Sequence, residues 1–226
     1  MEYKILGETV PCVEINLTAG ESMFTQSGGM AWQTNGIQMS TNVKGGVLKG
    51  IGRMFAGESL FMATYHADQD SMIAFASTVP GTVKAVNVTD CQGLTIQKGA
   101  FLCAQSSVTL ETTFTKKVSA GFFGGEGFIL QRLSGSGLAF LEIDGDSVEK
   151  ELASGEVLKV DTGNVVAFDS SVSYEIETVK GLGNIFFGGE GLFLTKLTGP
   201  GRVILQTQNF PEFAGRINAL APKTSN

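Results

Sequence analysis

The sequence lacks most of the residues from which metal and disulfide sites are built. Its 226 residues include one histidine and three cysteines, and no two of the cysteines, Cys12, Cys91 and Cys103, form a Cys-x-x-Cys pair. A structural zinc site needs a tetrahedral set of closely spaced Cys or His ligands, and a disulfide framework needs paired cysteines. We therefore expect no metal, no cofactor and small, buried, reduced thiols, as in a cytoplasmic protein.

Common catalytic and nucleotide-binding motifs are also missing. His66 lies in ATYHADQD without a nucleophile signature around it, and we interpret it as a surface or hairpin residue. The acidic run DGDSVEKE lacks a glycine and a terminal glutamate at the spacing that a calcium loop needs, and the glycine-rich stretches lack the spacing of phosphate-binding loops. We expect a protein that is not an enzyme. The enzymatic alternative is an acid–base pair of carboxylates with shifted pKa, for which Glu126 and Glu190 are the candidates.

Positive charge and long apolar runs are scarce. The chain has 22 acidic and 16 basic residues, a net charge of −6, which repels a phosphate backbone. We therefore expect no binding to duplex nucleic acid. No apolar run reaches the roughly 18 residues of a membrane-spanning helix, and the first residues do not resemble a signal peptide. These features favour a cytoplasmic location.

Glycine and internal repetition are abundant. The chain has 30 glycines against 5 prolines, and FFGGEG occurs at 122–127 and again at 186–191, with a related FAGESL at 55–60. The segment IQKGAFLCAQSSVTLE also matches VDTGNVVAFDSSVSYEIE in the same register. We predict one compact domain, 1–226, built of three internal repeats and a short C-terminal tail, with bounds at about 1–80, 81–144, 145–213 and 214–226.

The segments between the glycines have the character of β-strands. GLAFLEI, VILQTQ and FILQRL are short, rich in β-branched or aromatic residues, and bounded by glycine or polar turns. Only FPEFAGRINAL has helical signals, because Pro211 suits a first helical turn. We predict an all-β fold of three tandem β-sandwich or short double-stranded β-helix repeats around a pseudo-threefold axis, with at most one short C-terminal helix.

The repeated aromatic–glycine–glutamate motif is expected to have a structural role at three equivalent places. Glycine permits positive φ and close approach of chains, and the adjacent glutamate can accept hydrogen bonds from the turn. The positions concerned are Phe55, Gly57, Glu58, Phe123, Gly125, Glu126, Phe187, Gly189 and Glu190.

One basic cluster stands among glycines and apolar residues. It consists of Lys44, Lys49 and Arg53. Such a loop can rest on an anionic membrane surface or an acidic partner, and the alternative is a solvated turn between strands.

Several motifs resemble a known family. QKGAFLCA, FFGGEGFIL, DTGNVVAFD, FFGGEGLFL and GPGRVILQTQ, in this order, are similar to the family named for altered inheritance of mitochondria, over nearly the whole chain. The resemblance implies a fold like that of the tryptophan RNA-binding attenuation protein, a short variant of the double-stranded β-helix, and no established enzymatic activity. Mitochondrial members are associated with the inner membrane. Asn164 stands where the family pattern has histidine, so a site that used this histidine would be lost here.

Two functions follow from these observations. The first is a non-catalytic assembly or interaction protein, a self-associating scaffold for a protein partner or, peripherally, for a membrane surface. The alternative is a small-molecule binding module with a pocket within or between the β repeats.

Overall fold

The structure is a computed structural model that describes residues 1–26, 28–42, 62–116, 128–179 and 192–220. The first third of the chain contains the strands β1 (Glu2–Leu6), β2 (Cys12–Leu17), β3 (Ser22–Gln26), β4 (Met30–Gln33), β5 (Ile37–Asn42), β6 (Met62–Ala67) and β7 (Ser71–Ala76). The middle third contains β8 (Gly81–Asn87), β9 (Leu94–Gln97), β10 (Phe101–Gln105), β11 (Val108–Lys116), β12 (Phe128–Gly135) and β13 (Leu138–Asp144).

The last third of the chain adds six strands and a helix. The strands are β14 (Ser147–Leu152), β15 (Val157–Asp161), β16 (Val165–Asp169), β17 (Ser173–Val179), β18 (Leu192–Thr198) and β19 (Gly201–Gln206). They are followed by α1 (Phe210–Leu220). The all-β prediction is confirmed, and the predicted C-terminal helix is present. Because α1 continues to Leu220, part of the predicted tail 214–226 is helical.

Antiparallel pairing joins the described strands into four sheets. Their strand orders are β1-β2-β7-β4, β5-β6-β3-β10-β13-β8, β11-β12-β9-β16-β19-β14 and β15-β18-β17. Each sheet therefore combines strands that are distant in sequence, which short hairpins alone would not produce.

One scheme of strand pairing recurs along the chain. We call β2–β7 module 1, β8–β13 module 2 and β14–β19 module 3. In each module the last strand pairs with the first and third, and the fifth strand pairs with the second and fourth. The third strands β4, β10 and β16 each carry a register shift where they pair with the last strand. The recurrence concerns strand order and pairing, and the predicted repeat boundaries stay predictions.

The modules are joined by two equivalent strand pairs, which we call the internal junctions. The second strand of one module pairs with the third strand of the next, as β3 with β10 and β9 with β16. A closed threefold arrangement would also pair β15 with β4. Among the described strands both of these lie at sheet edges. The predicted pseudo-threefold axis is therefore not confirmed.

The core follows from alternation along the strands. In β2, Val13, Ile15 and Leu17 are buried while Glu14 and Asn16 are not, which is the pattern of a strand with one face on the core. The third strands at the internal junctions are buried on both faces, as shown by the continuous buried runs in β10 and β16. Full burial of one large apolar side chain contributes about 1.5–3 kcal/mol. The core therefore forms both within the modules and across the junctions.

Candidate functional site

The residues that the sequence singles out lie outside the described ranges. Lys44, Lys49 and Arg53 lie in 43–61, together with the first copy of the repeated motif, and the other copies lie in 117–127 and 180–191. The three segments nevertheless occupy corresponding places in the chain, because each connects the fourth and fifth strands of a module. The predicted roles of these residues, including Glu126 and Glu190, stay predictions.

His66 lies on β6 at the protein surface. Its Nδ1 is 2.8 Å from Ser22 Oγ, and its Nε2 is 3.9 Å from Asp68 Oδ1. The residue types match a Ser–His–Asp triad, but a separation of 3.9 Å is too long for the hydrogen bond that orients the imidazole. The histidine and aspartate side chains are also about half exposed. The arrangement is that of a solvated polar row on a strand surface.

The two described cysteine side chains are buried and free. Cys12 and Cys103 form no disulfide. Burial raises the pKa of both thiols, and strongly so for Cys103. A raised pKa reduces the thiolate fraction, so these thiols are poor nucleophiles. The prediction of small buried thiols is confirmed for these two residues.

A cleft of about 300 Å³ lies where the end of β13, the turn before β16 and the start of α1 meet. Polar groups on its wall include Glu142, Asp144, Gln206 and Asn209. Such a volume suits a small molecule rather than a macromolecule.

Most polar groups of this cleft are bound to protein backbone. The Asp144 carboxylate accepts a hydrogen bond from Phe210 N at 3.1 Å, and the Glu142 carboxylate accepts one from Thr78 N at 2.6 Å. The Gln206 amide accepts from Asp144 N at 3.1 Å and donates to Gly163 O at 2.8 Å. The two bonds of Asp144 join the end of module 2 to module 3 and to α1, and the Glu142 bond joins β13 to the turn before β8.

Burial raises the pKa of one carboxyl in the cleft and of another beside it. Burial raises the pKa of Asp144, the hydrogen bond from Phe210 opposes this, and the charge of Glu142 adds to the rise. Burial likewise raises the pKa of Asp161, which accepts a hydrogen bond from Gly163 N and faces Glu212. Within the described ranges, no three acidic, His or Cys side chains converge as a metal site.

Asn164 lies beside the same cleft. Its side-chain amide donates to Gln206 O at 2.8 Å. Gly163, next to it, is tightly enclosed, since a Cβ at this position would overlap the Asn209 amide. In this chain Asn164 and Gly163 therefore serve the packing of the turn against the C-terminal segment.

The C-terminal helix presents an apolar face to solvent. None of its residues is buried. Its exposed apolar side chains follow the spacing of one helical face, at Phe210, Phe213, Ile217 and Leu220. The two charged side chains, Glu212 and Arg216, form an ion pair with each other. The sequence signals predicted the helix, and the spacing of its apolar residues was the signal that could have indicated this face.

The edge strands β4 and β15 expose apolar side chains as well. Trp32 on β4 is 44% exposed and Val157 on β15 is 48% exposed. The corresponding strands at the internal junctions, β9 and β10, bury nearly all of their apolar side chains. The sequence did not indicate this difference, because it depends on which strand lies alongside.

The architecture is that of an all-β protein of repeatedly paired strands, with apolar side chains exposed on α1 and on two edge strands. The chain belongs to the family described as mitochondrial biogenesis AIM24, whose sequence model matches residues 3–208. The predicted family resemblance is thereby confirmed. None of the helices in the described ranges is long and apolar enough to cross a membrane.

Two relatives extend the family assignment. The chain is 30% identical over 224 residues to an uncharacterized protein of Streptococcus pyogenes serotype M6, covering 96% of this chain and 89% of that protein. It also superposes on the crystal structure of a Streptococcus pyogenes protein with a TM-score of 0.80 and 25% identity, covering 97% of this chain and 99% of that chain. The likeness to the attenuation-protein fold is not confirmed and stays a prediction.

Proposed function

We propose that this chain is a non-catalytic, cytoplasmic assembly or interaction protein, a β scaffold that works through contacts with other proteins. The observation that supports this most directly is α1, an amphipathic helix that is anchored at its first turn and has no buried residue. An exposed apolar face of this kind is a common mark of a protein interaction site.

The anchoring of α1 is specific, and the apolar side chains of its exposed face stay 40–87% exposed. The Asn209 side chain accepts a hydrogen bond from Glu212 N at 3.3 Å, and Asp144 accepts one from Phe210 N. Both bonds lie at the first turn of the helix, where backbone N–H groups lack helical partners. The helix is thus held against the β scaffold by backbone hydrogen bonds at its N-terminal end.

The charge of α1 favours a protein partner over a lipid surface. Glu212 and Arg216 neutralise each other, so the helix has no excess of basic residues with which to attract anionic lipid. A membrane surface stays the second partner class because of Lys44, Lys49 and Arg53. Their contribution is tested separately.

The first experiment places a photo-crosslinking amino acid at Phe213 or Ile217 in cells, with Arg216 as the matched control on the same helix. A partner bound through the apolar face gives an adduct at the first two positions and little at Arg216. Equal labelling at all three positions, or none, contradicts the proposal.

Flotation of the purified protein with phosphatidylcholine vesicles, with and without phosphatidylserine, tests the membrane class. Flotation that needs phosphatidylserine and is lost in the Lys44→Ala, Lys49→Ala, Arg53→Ala triple variant would indicate a membrane-surface partner.

The cleft beside Asp144 supports a second candidate, a small-molecule binding module. A ligand there would raise the melting temperature in proportion to the logarithm of its concentration. Thr78→Trp is designed to fill the cleft and retains the backbone N–H that Glu142 accepts. A ligand from a metabolite panel that stabilises the wild type and not Thr78→Trp would support this function, and no such ligand would argue against it.

A further inference from the structure

We propose that copies of this chain assemble head to tail, with β4 of one copy pairing antiparallel with β15 of the next. This extends the proposed assembly function and rests on it. The junction between chains would then be the same contact that joins module 1 to module 2 and module 2 to module 3 within the chain.

The first step is the identity of the strands. Each internal junction pairs the second strand of one module with the third strand of the following module. The chain leaves one such second strand, β15, and one such third strand, β4, at sheet edges. They are the complementary halves of a junction that the chain already makes twice.

The other edge strands do not have this complementarity. The fourth strands β5, β11 and β17 are edges in all three modules, so the described strands offer no pairing that could serve as a template for them. The edges β8 and β14 correspond to β2, which is covered by β1. Only β4 and β15 have counterparts that pair with each other within the described part of the chain.

The second step is the position on the third strand. After its register shift, each third strand has two residues that pair with the last strand of its module. The second of these two residues marks the position used here. This position is occupied by Gln33 in β4, Ala104 in β10 and Phe168 in β16.

The third step is the position on the second strand. The fifth strand of each module has one buried residue that serves as a reference point: Tyr65, Leu133 or Leu197. One residue of the second strand lies directly opposite it. The next residue along the second strand is Phe24, Thr95 or Lys159 respectively.

These positions set the register of the proposed pair. Ala104 lies opposite Phe24 at the first internal junction, and Phe168 lies opposite Thr95 at the second. Applied to the edge strands β4 and β15, the same register places Gln33 of one copy opposite Lys159 of the other. Trp32 then faces Val160, an aromatic–β-branched pair of the kind that stabilises neighbouring strands.

Burial supports the need for a covering strand. At the internal junctions Ala104 and Phe168 are buried. On the edge strands β4 and β15, Gln33 and Lys159 are exposed, and Trp32 is 44% exposed. An edge strand with apolar side chains and unpaired backbone groups is a template for another strand. A second copy supplies the strand that matches it.

The backbone pattern identifies a residue whose change blocks the junction. Ser106 N donates to Ser22 O at 3.1 Å, so Ala104 and Phe24, two residues further along each strand, are also a hydrogen-bonded pair. By the same register the Lys159 N–H points away from β18 and toward the incoming β4. Proline at position 159 removes this donor, whereas alanine keeps it.

The interface is heterologous, because two different surfaces meet. Repeating it produces a ring when the rotations close and a filament when they do not. Every chain in a ring would use both edges and leave neither β4 nor β15 exposed.

The test uses full-length chains with new cysteines at opposed positions. Cα atoms of a hydrogen-bonded antiparallel pair are about 5.5 Å apart, within the range that a disulfide spans. Mixed and oxidised, a Gln33→Cys chain and a Lys159→Cys chain are expected to give a covalent dimer, while either alone gives none. Gln33→Cys mixed with Val157→Cys, two residues out of register, is the matched control. The double variant in one chain is expected to give covalent multimers.

The outcomes separate this inference from the proposed function. Absence of the 33–159 disulfide, an equal yield in the Val157→Cys control, or a link formed only within one chain overturns the junction. An adduct at Phe213 in the separate photo-crosslinking experiment in cells would leave the interaction function standing. Conversely, a 33–159 disulfide without any adduct on α1 supports the junction and contradicts the partner surface on the helix.

Discussion

Asp144 and Phe210 are joined by a hydrogen bond of 3.1 Å from the Phe210 backbone N–H to the Asp144 carboxylate. This contact connects the end of module 2 to the first residue of α1, across 66 positions of sequence. It explains how a helix without buried residues keeps a defined place on the β scaffold. The docking of α1 on the β scaffold therefore depends on the protonation state of the Asp144 carboxyl group.

The first prediction concerns the pH dependence of stability. Burial raises the pKa of Asp144 above its ordinary value of 3.8, so the native state binds this proton more tightly than the unfolded chain does. The free energy of unfolding should therefore fall as pH rises from 3.8 through the native pKa. Asp144→Asn keeps an acceptor oxygen for Phe210 N and should show a smaller slope in urea unfolding across this range. An unchanged slope would show that Asp144 does not carry the effect.

The second prediction concerns the N-terminal cap of α1. Asn209→Ala removes the acceptor of the Glu212 N–H bond and should destabilise the helix by about 1 kcal/mol. Because α1 has no buried residue, the loss should appear as faster amide hydrogen exchange in α1 and leave the melting of the β scaffold nearly unchanged. Asn218→Ala, on the exposed part of the helix, is the control and should not accelerate exchange.

The third prediction compares two glycines with the same backbone angle. Gly135 and Gly20 both have φ of +92°, but a Cβ at Gly135 would lie 2.5 Å from Ser107 O, and one at Gly20 would have no atom within 4 Å. Both alanine variants incur strain of about 1 kcal/mol or more from the positive φ. Gly135→Ala adds a clash with backbone and should have the larger loss in denaturant unfolding. Equal losses would contradict the close approach of Gly135, at the end of β12, to the turn between β10 and β11.

The fourth prediction compares two phenylalanines. Phe140 in β13 is fully buried and packs edge-to-face with Tyr3 at a ring distance of 5.0 Å, whereas Phe213 on α1 is exposed. Phe140→Ala should reduce the free energy of unfolding by about 3–5 kcal/mol. Phe213→Ala should change it by less than about 0.5 kcal/mol and should affect only partner contacts. A large loss for Phe213→Ala would mean that α1 belongs to the core.

The fold was predictable from the sequence where the signal is local. The alternation in CVEINL indicates a strand with one buried face, and Pro211 indicates the first turn of α1. Pairing across modules was not predictable in this way. That β3 lies beside β10 depends on contacts between residues about 80 positions apart, which local propensity does not encode.

The candidate sites were harder to predict for the same reason. Trp32 and Cys103 occupy corresponding positions of two third strands, yet Trp32 is exposed and Cys103 is buried, because β10 has a paired strand on both sides and β4 on one side only. The cleft forms only when α1 returns to the end of β13. The residues that the sequence emphasised most, the repeated motif and the basic cluster, lie in connections outside the described ranges.

The most direct test of assembly through β4 and β15 is the solution mass of the full-length protein and of two variants at one position. Light scattering or sedimentation should give a particle of several chains for the wild type and for Lys159→Ala, and a single chain for Lys159→Pro with an unchanged β circular-dichroism spectrum. A single-chain mass for the wild type at every concentration, or a Lys159→Pro particle as large as that of the wild type, would contradict it.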